Sequence, residues 1–185
     1  GALVNLANKE IFIEKQGNFG NMYTGDGASA PRYIECRLRP LTKDILYNPE
    51  ITRYVPSYDG RGKEPVVFRA KLPLALIMGA EGIAVGMSTK ILPHNIKDVI
   101  EAEKAYLSGK DFKIYPDFPT GGIIDVSNYN DGNGKIIGRA KLDTSDPKRI
   151  VITELPPGTN TESLTQSIEQ ATKSGKLKIS SINDY

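Results

Sequence analysis

A tyrosine lies directly beside an arginine shortly after a glycine-rich turn. The turn spans residues 16–20 (QGNFG), and the pair is Arg32 and Tyr33. A phenol, whose ordinary pKa is about 10, is a poor nucleophile at pH 7 unless a base or a cation assists it. A guanidinium can neutralise the charge that builds on an attacked phosphate. The pair therefore has the residue types needed to attack a phosphodiester and to keep the broken end covalently bound.

The residues that follow this pair alternate with a period of two, which predicts a strand over residues 32–38. Tyr33, Glu35 and Arg37 share one face, and Ile34, Cys36 and Leu38 share the other. We expect the apolar face to be buried, which makes Cys36 a small core residue. Glu35 and Arg37 can contact phosphate or pair with each other, and the pair is favoured.

The composition is that of an ordinary globular protein. The 185 residues are 39% hydrophobic and 25% charged, with a formal net charge of +2, so the charge alone does not indicate a nucleic-acid partner. No apolar run approaches the ~18 residues of a membrane span, and we expect no membrane association. The single cysteine excludes an internal disulfide, which fits a reducing cytoplasm.

Few residues could hold a metal or a nucleotide. His94 is the single histidine, and its position between a proline and a helix start favours a structural role. No Asp-x-Asp pair of the kind that holds catalytic Mg²⁺ is present. The glycines at 60–63 and 132–134 lack the spacing of a P-loop or a dinucleotide fingerprint. We therefore expect no metal site and no cofactor site in this chain.

Periodicity and turn signals predict a mixture of strands and helices. Strands are expected at 10–15, 122–126, 134–141, 149–154 and 177–182, and a bent or bulged strand at 82–87. Helices are expected after Pro40, after Asn95 and from about Asn160 to Gly175. These elements indicate an α+β class, with a βαβ-like unit over residues 149–182. The turn-rich stretch 56–62 is a candidate boundary, and the start at Gly1, without Met, suggests a piece of a longer protein.

Six blocks in a fixed order resemble the A subunit of bacterial type IIA DNA topoisomerases. Each block is weak alone, but their succession over residues 11–156 is specific. The blocks are QGNFG (16–20), RYxExRL (32–38), YDG (58–60), GIAVGM (82–87), PHN (93–95) and PDFPT (116–120).

The resemblance implies a fragment of the breakage-reunion core of gyrase or topoisomerase IV. On that basis residues 1–38 are the carboxy-terminal part of a winged-helix domain, and residues 39–185 belong to a truncated tower domain. Pro31 and Ile34 depart from the residues that more often flank the arginine–tyrosine pair in gyrases. They leave the choice between gyrase and topoisomerase IV open.

The resemblance also implies roles for individual residues. Tyr33 matches the tyrosine that attacks a backbone phosphate, and Arg32 the arginine that steadies it. Ile83 matches an isoleucine that wedges between base pairs; the alternative is a core residue in a glycine-flanked strand. Apolar wedges unstack a base step at a cost of a few kcal/mol, which is offset by wrapping contacts. Arg37 is a candidate DNA contact.

The partners are implied in the same way. We expect double-stranded DNA as substrate, an A-subunit homodimer within an A2B2 complex, and a B subunit that holds Mg²⁺ and ATP. The complex would act in the cytoplasm with the nucleoid, and the fragment alone is expected to be inactive. Two alternatives stay open: a non-catalytic DNA-binding or scaffold module in which Tyr33 is inert, and an unrelated α+β domain. The cations Arg61, Lys63, Arg69 and Lys71 could line DNA, although a solvated surface is favoured.

Overall fold

The structure, a computed structural model, describes residues 1–184 and mixes helices with antiparallel strand pairs, which confirms the α+β class. The helices of these residues are α1 (Ala2–Asn8), α2 (Pro40–Leu46), α3 (Leu74–Met78), α4 (Ile96–Leu107) and α5 (Thr161–Lys173). The strands are β1 (Ile13–Gln16), β2 (Glu35–Leu38), β3 (Tyr54–Pro56), β4 (Lys63–Pro65), β5 (Ala80–Ala84), β6 (Met87–Ile91), β7 (Ile123–Asp125), β8 (Ile137–Arg139), β9 (Lys141–Asp146) and β10 (Arg149–Glu154). None of the helices in residues 1–184 is long and apolar enough to cross a bilayer.

Every strand of the described residues pairs with one neighbour in an antiparallel two-stranded sheet. The pairs are β1 with β2, β3 with β4, β5 with β6, β7 with β8, and β9 with β10. The expected βαβ-like unit is wrong, because β10 pairs with β9 across a tight turn and residues 177–182 form no strand. The expected bulged strand at 82–87 is also wrong, since a turn at Val85 and Gly86 divides it between two strands.

Three of the helices, α2, α4 and α5, begin where the sequence predicts them, whereas α1 and α3 were not predicted. Pro40 opens α2, where its fixed φ suits the first turn and its missing N–H costs nothing. The Asn95 side chain accepts a hydrogen bond from the Lys97 backbone N–H at 3.0 Å and caps α4. Asn160 and Ser163 form a reciprocal capping box at the start of α5. Local capping chemistry therefore sets these three helix starts.

The chain divides into two compact units. The first unit comprises Gly1–Phe19 and Ser29–Asp117, and the second comprises Gly20–Ala28 and Phe118–Tyr185. The main core lies in the first unit and is formed by Ala7, Phe12, Ile13 and Phe19. Partly buried apolar side chains pack around it: Val4, Ile11, Ile34, Leu46, Leu74 and Met78.

The expected division at residues 38 and 39 stays a prediction. Residues on both sides of it belong to the first unit, where the Thr42 hydroxyl donates to the Phe12 carbonyl at 2.7 Å. The turn-rich stretch 56–62 is not a boundary between the two units. It lies inside the first unit and connects β3 to β4.

The strand expected at 32–38 is shorter than predicted. Pro31–Tyr33 forms a 3-10 turn, and the strand begins at Glu35. Cys36 is exposed, so its expected place in the core is wrong. The physical reason is that a two-stranded sheet leaves much of its surface uncovered, and alternation alone does not show which face is buried.

Candidate active site

Tyr33 ends a short 3-10 turn that begins at a proline. The Tyr33 backbone N–H donates to the Ala30 carbonyl at 3.0 Å, and the Ile34 N–H donates to the Pro31 carbonyl at 3.4 Å. Pro31 stands at the first position of this turn, where its ring fixes φ and no amide donor is needed. Pro31, which precedes the arginine–tyrosine pair, thus favours this turn.

The glycine-rich segment packs directly against the backbone of the turn. A side chain at Gly17 would place its Cβ 2.9 Å from the Tyr33 carbonyl oxygen, and Gly17 has a φ of 97°. Only glycine tolerates both the close approach and the left-handed conformation. Ile34 packs against the core that contains Phe12 and Phe19. The sequence QGNFG therefore supports the tyrosine backbone rather than contributing a reactive group.

The tyrosine side chain itself projects outward, because 68% of its surface is exposed. The Arg32 guanidinium carbon lies 5.2 Å from the centre of the Tyr33 ring, within the range of a cation–π contact. This distance keeps a permanent positive charge beside the phenol while leaving the phenol open to a large substrate. The structure thus brings together two of the predicted site residues.

Arg37 pairs with an acidic residue that the sequence did not indicate. Its Nε and Nη2 donate to the two Glu14 carboxylate oxygens at 2.8 and 2.7 Å. The expected pair with Glu35 is wrong, because strand register places Arg37 opposite Glu14 and Glu35 opposite Gln16. The hydrogen bond from Arg37 holds the Glu14 pKa below its ordinary value of 4.5, and the same bond raises the pKa of Arg37. Arg37 is therefore a cation whose charge is already balanced.

Ile83 lies near the tip of the β5–β6 hairpin. Its register partner is Ser88, and 87% of its surface is exposed. The alternative in which Ile83 is a core residue is wrong. Val85 and Met87, which the sequence reasoning did not single out, are also strongly exposed at this tip. The sequence contained a signal for this exposure, since apolar residues beside Gly86 in a tight turn have no neighbouring strand to cover them.

His94 has the structural role that the sequence favoured. It is 5% exposed, and its Nδ1 lies 3.1 Å from the Leu76 carbonyl oxygen. Its backbone also forms an antiparallel bridge to Pro116. Within residues 1–184, no group of three or more histidine, cysteine, aspartate or glutamate side chains could hold a metal ion.

An exposed tyrosine beside an arginine, on a glycine-supported turn in an α+β chain, is consistent with the family that the six sequence blocks indicated. The model of the family described as the A subunit of DNA gyrase/topoisomerase IV matches residues 1–185. The chain belongs to this family.

Relatives in several organisms agree with this assignment. The chain is 62% identical over 184 residues to the A subunit of DNA topoisomerase 4 from Borreliella burgdorferi, with 100% of this chain and 29% of that protein covered. It is 36% identical over 195 residues to the chloroplastic/mitochondrial DNA gyrase A subunit of Arabidopsis thaliana, covering 93% of this chain and 20% of the relative. With the DNA gyrase A subunit of a Nocardioides species, the identity is 37% over 210 residues, covering 98% and 23%. The chain thus spans less than a third of the length of these relatives.

Proposed function

We propose that this chain is the part of a type IIA DNA topoisomerase A subunit that carries the nucleophile for transient double-strand breakage. The observation that carries the proposal is the exposed Tyr33 side chain with the Arg32 guanidinium 5.2 Å from its ring. The substrate is double-stranded DNA. Changing DNA topology requires that the break be resealed, so the reaction must conserve the phosphodiester bond energy.

The proposed reaction is a reversible transesterification. The Tyr33 phenolic oxygen attacks a backbone phosphorus and forms a phosphotyrosine ester with the 5′ end of the broken strand. The bond from phosphorus to the deoxyribose 3′ oxygen breaks, the phenol loses its proton to solvent or a base, and the 3′ oxygen gains a proton. Attack of that 3′ hydroxyl on the ester reverses each change and restores the strand and the tyrosine.

Arg32 is proposed to stabilise the charge that develops on the attacked phosphate. A guanidinium stays protonated at neutral pH and can donate two parallel hydrogen bonds to phosphate oxygens. Arg37 is a weaker candidate for DNA contact, because its guanidinium already donates two hydrogen bonds to the Glu14 carboxylate. A phosphate must share or replace that carboxylate to bind Arg37.

We propose that Ile83 enters the base stack of the bound duplex as an apolar wedge. Its exposure near a hairpin tip supports this role, since a wedge needs a protruding side chain on a narrow element. Ile83→Ala in the full-length protein should reduce the bend of a duplex, measured by energy transfer between end labels. An unchanged bend would remove the role, and Ile123→Ala, another exposed isoleucine, provides the control.

The full complex is proposed to be an A2B2 assembly in the cytoplasm, where chromosomal DNA lies in the nucleoid. The resemblance to the family implies that Mg²⁺ and ATP are bound by the partner B subunit, and we propose this assignment. Mg²⁺ bound there would neutralise phosphate charge at the cleaved bond. The 62% identity to the topoisomerase 4 relative, against 36 and 37% to the two gyrase relatives, favours topoisomerase IV over gyrase.

Covalent trapping tests the nucleophile. The full-length protein is combined with its B subunit, Mg²⁺ and DNA, the mixture is denatured, and protein-linked DNA is measured. We expect an adduct with the wild-type residue, none with Tyr33→Phe, and none with residues 1–185 alone. Tyr106→Phe, at another exposed tyrosine, is the matched control and should leave the adduct. An adduct that survives Tyr33→Phe favours the scaffold module, in which Tyr33 is inert.

A further inference from the structure

The β3–β4 hairpin presents a feature that neither the nucleophile nor the wedge explains. Its connection, residues 57–62, carries Tyr58, whose side chain is fully exposed. Among residues 1–184 the Tyr58 ring makes no ring contact and its hydroxyl makes no hydrogen bond. Tyrosine is enriched at binding interfaces, so an exposed ring that gains no packing within its own chain is available to a partner.

The connection is nevertheless locally ordered. The Ser57 hydroxyl donates to the Asp59 carboxylate at 2.7 Å, and that carboxylate accepts the Arg61 backbone N–H at 3.1 Å. The Gly62 N–H donates to the Ser57 hydroxyl at 2.9 Å. The Asp59 charge is thus used to hold the turn. The Arg61 guanidinium also lies 3.8 Å from the Asp59 carboxylate in an exposed ion pair, which a phosphate would have to share or replace. Tyr58 and Arg61, whose side chain is 90% exposed, are presented on a fixed loop at a small entropic cost.

The surrounding segment concentrates positive charge. Residues 53–71 contain five cationic side chains and two acidic ones, a net charge of +3, whereas the whole chain has a net charge of +2. The cations are Arg53, Arg61, Lys63, Arg69 and Lys71. Strand register places Lys63 opposite Pro56 and Tyr54 opposite Pro65, so one face of the hairpin carries both a cation and an aromatic ring. Cations interleaved with aromatic side chains fit a phosphate backbone and its sugars.

The base of this hairpin is tied to the elements that support Tyr33. The Tyr47 and Phe68 rings have centroids 5.3 Å apart, and the Asn48 side chain donates to the Arg69 carbonyl at 2.7 Å. These contacts fix the segment to the end of α2. The start of α2 is fixed in turn, because the Thr42 hydroxyl donates to the Phe12 carbonyl. The hairpin and the tyrosine turn belong to the same compact unit.

We propose that the tip formed by Tyr58, Arg61 and Lys63 is a second contact to the duplex that Tyr33 cleaves, and that it binds the phosphate backbone without reading sequence. This inference rests on the proposed function for the identity of the duplex. Arg61 and Lys63 pair with phosphates, and the Tyr58 ring lies against the sugars between them.

Equilibrium binding tests the tip. The full-length protein, assembled with its B subunit, carries Tyr33→Phe so that no adduct forms, and is titrated with a fluorescent duplex of about 40 base pairs over a salt series. Removal of two phosphate contacts with Arg61→Ala and Lys63→Ala should lower the slope of log affinity against log salt by about 2 and weaken binding on the order of tenfold near 0.1 M salt. Tyr58→Ala should weaken binding several-fold with an unchanged slope. Lys97→Ala with Lys110→Ala, two exposed cations of the same unit, is the control.

Three outcomes would overturn the proposal. One is that Arg61→Ala with Lys63→Ala changes the slope of log affinity against log salt no more than the control pair Lys97→Ala with Lys110→Ala does. Another is a Tyr58→Ala variant with wild-type affinity. A third is unchanged DNA binding combined with loss of the B subunit in pull-down, which would identify the tip as a protein contact. The proposed nucleophile is tested separately by the adduct assay, so failure of one proposal does not imply failure of the other. Thermal melting of each variant checks the fold, and Tyr58→Ala cannot disturb packing because the ring is fully exposed.

Discussion

The two compact units differ in how they bury apolar surface. All buried hydrophobic side chains of residues 1–184 lie in the first unit, at positions 7, 12, 13, 19, 45, 77, 99 and 102. In the second unit, α5 has no buried residue, and β9 and β10 expose Leu142 and Ile150. Every residue of the candidate site belongs to the first unit. A unit that positions reactive side chains needs such a core, whereas the second unit depends on local backbone hydrogen bonds and helix caps.

Truncation of one large apolar side chain in each unit should show the largest contrast. Phe12→Ala removes a buried ring from the main core, and we expect it to lower the free energy of unfolding by about 3–5 kcal/mol. Leu164→Ala, at a half-buried position of α5, should cost roughly 1 kcal/mol, because little area leaves water there. Urea unfolding followed by circular dichroism measures both. Equal losses would mean that the units are not distinguished by packing.

Loss of an asparagine cap should affect the second unit more than the first, the reverse of the effect expected for the core truncations. Asn160→Ala removes the capping box of α5, and a cap of this type contributes about 1 kcal/mol to helix stability. Asn95→Ala removes the cap of α4, but Val99 and Ala102 are buried and hold that helix by packing. We expect faster amide hydrogen exchange along much of α5, and only in the first turn of α4. Similar exchange in both helices would contradict a second unit that depends on local interactions.

The sequence predicted features that depend on neighbours in the chain. Pro40, Asn95 and Asn160 determine the starts of helices through contacts within one turn, and all three starts were confirmed. Arg32 and Tyr33 are adjacent, so their proximity also follows from the sequence. Their roles in DNA cleavage stay predictions.

Features that depend on distant partners were missed. Strand β9 has no clear alternation (KLDTSD) and exists because β10 pairs with it. Residues 177–182 alternate, but no strand pairs with them in the described part of the chain. The ion pair of Arg37 with Glu14 needed the register between β1 and β2, whose members are far apart in the sequence. Periodicity shows which residues share a face, whereas pairing and burial are decided by what the rest of the chain places opposite.

Removal of the ion pair between Glu14 and Arg37 should have the smallest effect on stability. The pH dependence of thermal unfolding makes this effect measurable. Because the folded-state pKa of Glu14 lies below 4.5, the pair stabilises the fold above the pKa of the unfolded chain. This contribution is lost as the pH falls through the folded-state value. Glu14→Gln should therefore lower the thermal midpoint slightly at pH 7 and make no difference well below pH 4.5. Arg37→Gln should reproduce this change, and the double variant should add nothing further, since both remove one interaction. Additive losses would mean that the two side chains stabilise the first unit separately, and that Arg37 is free to bind phosphate without displacing Glu14.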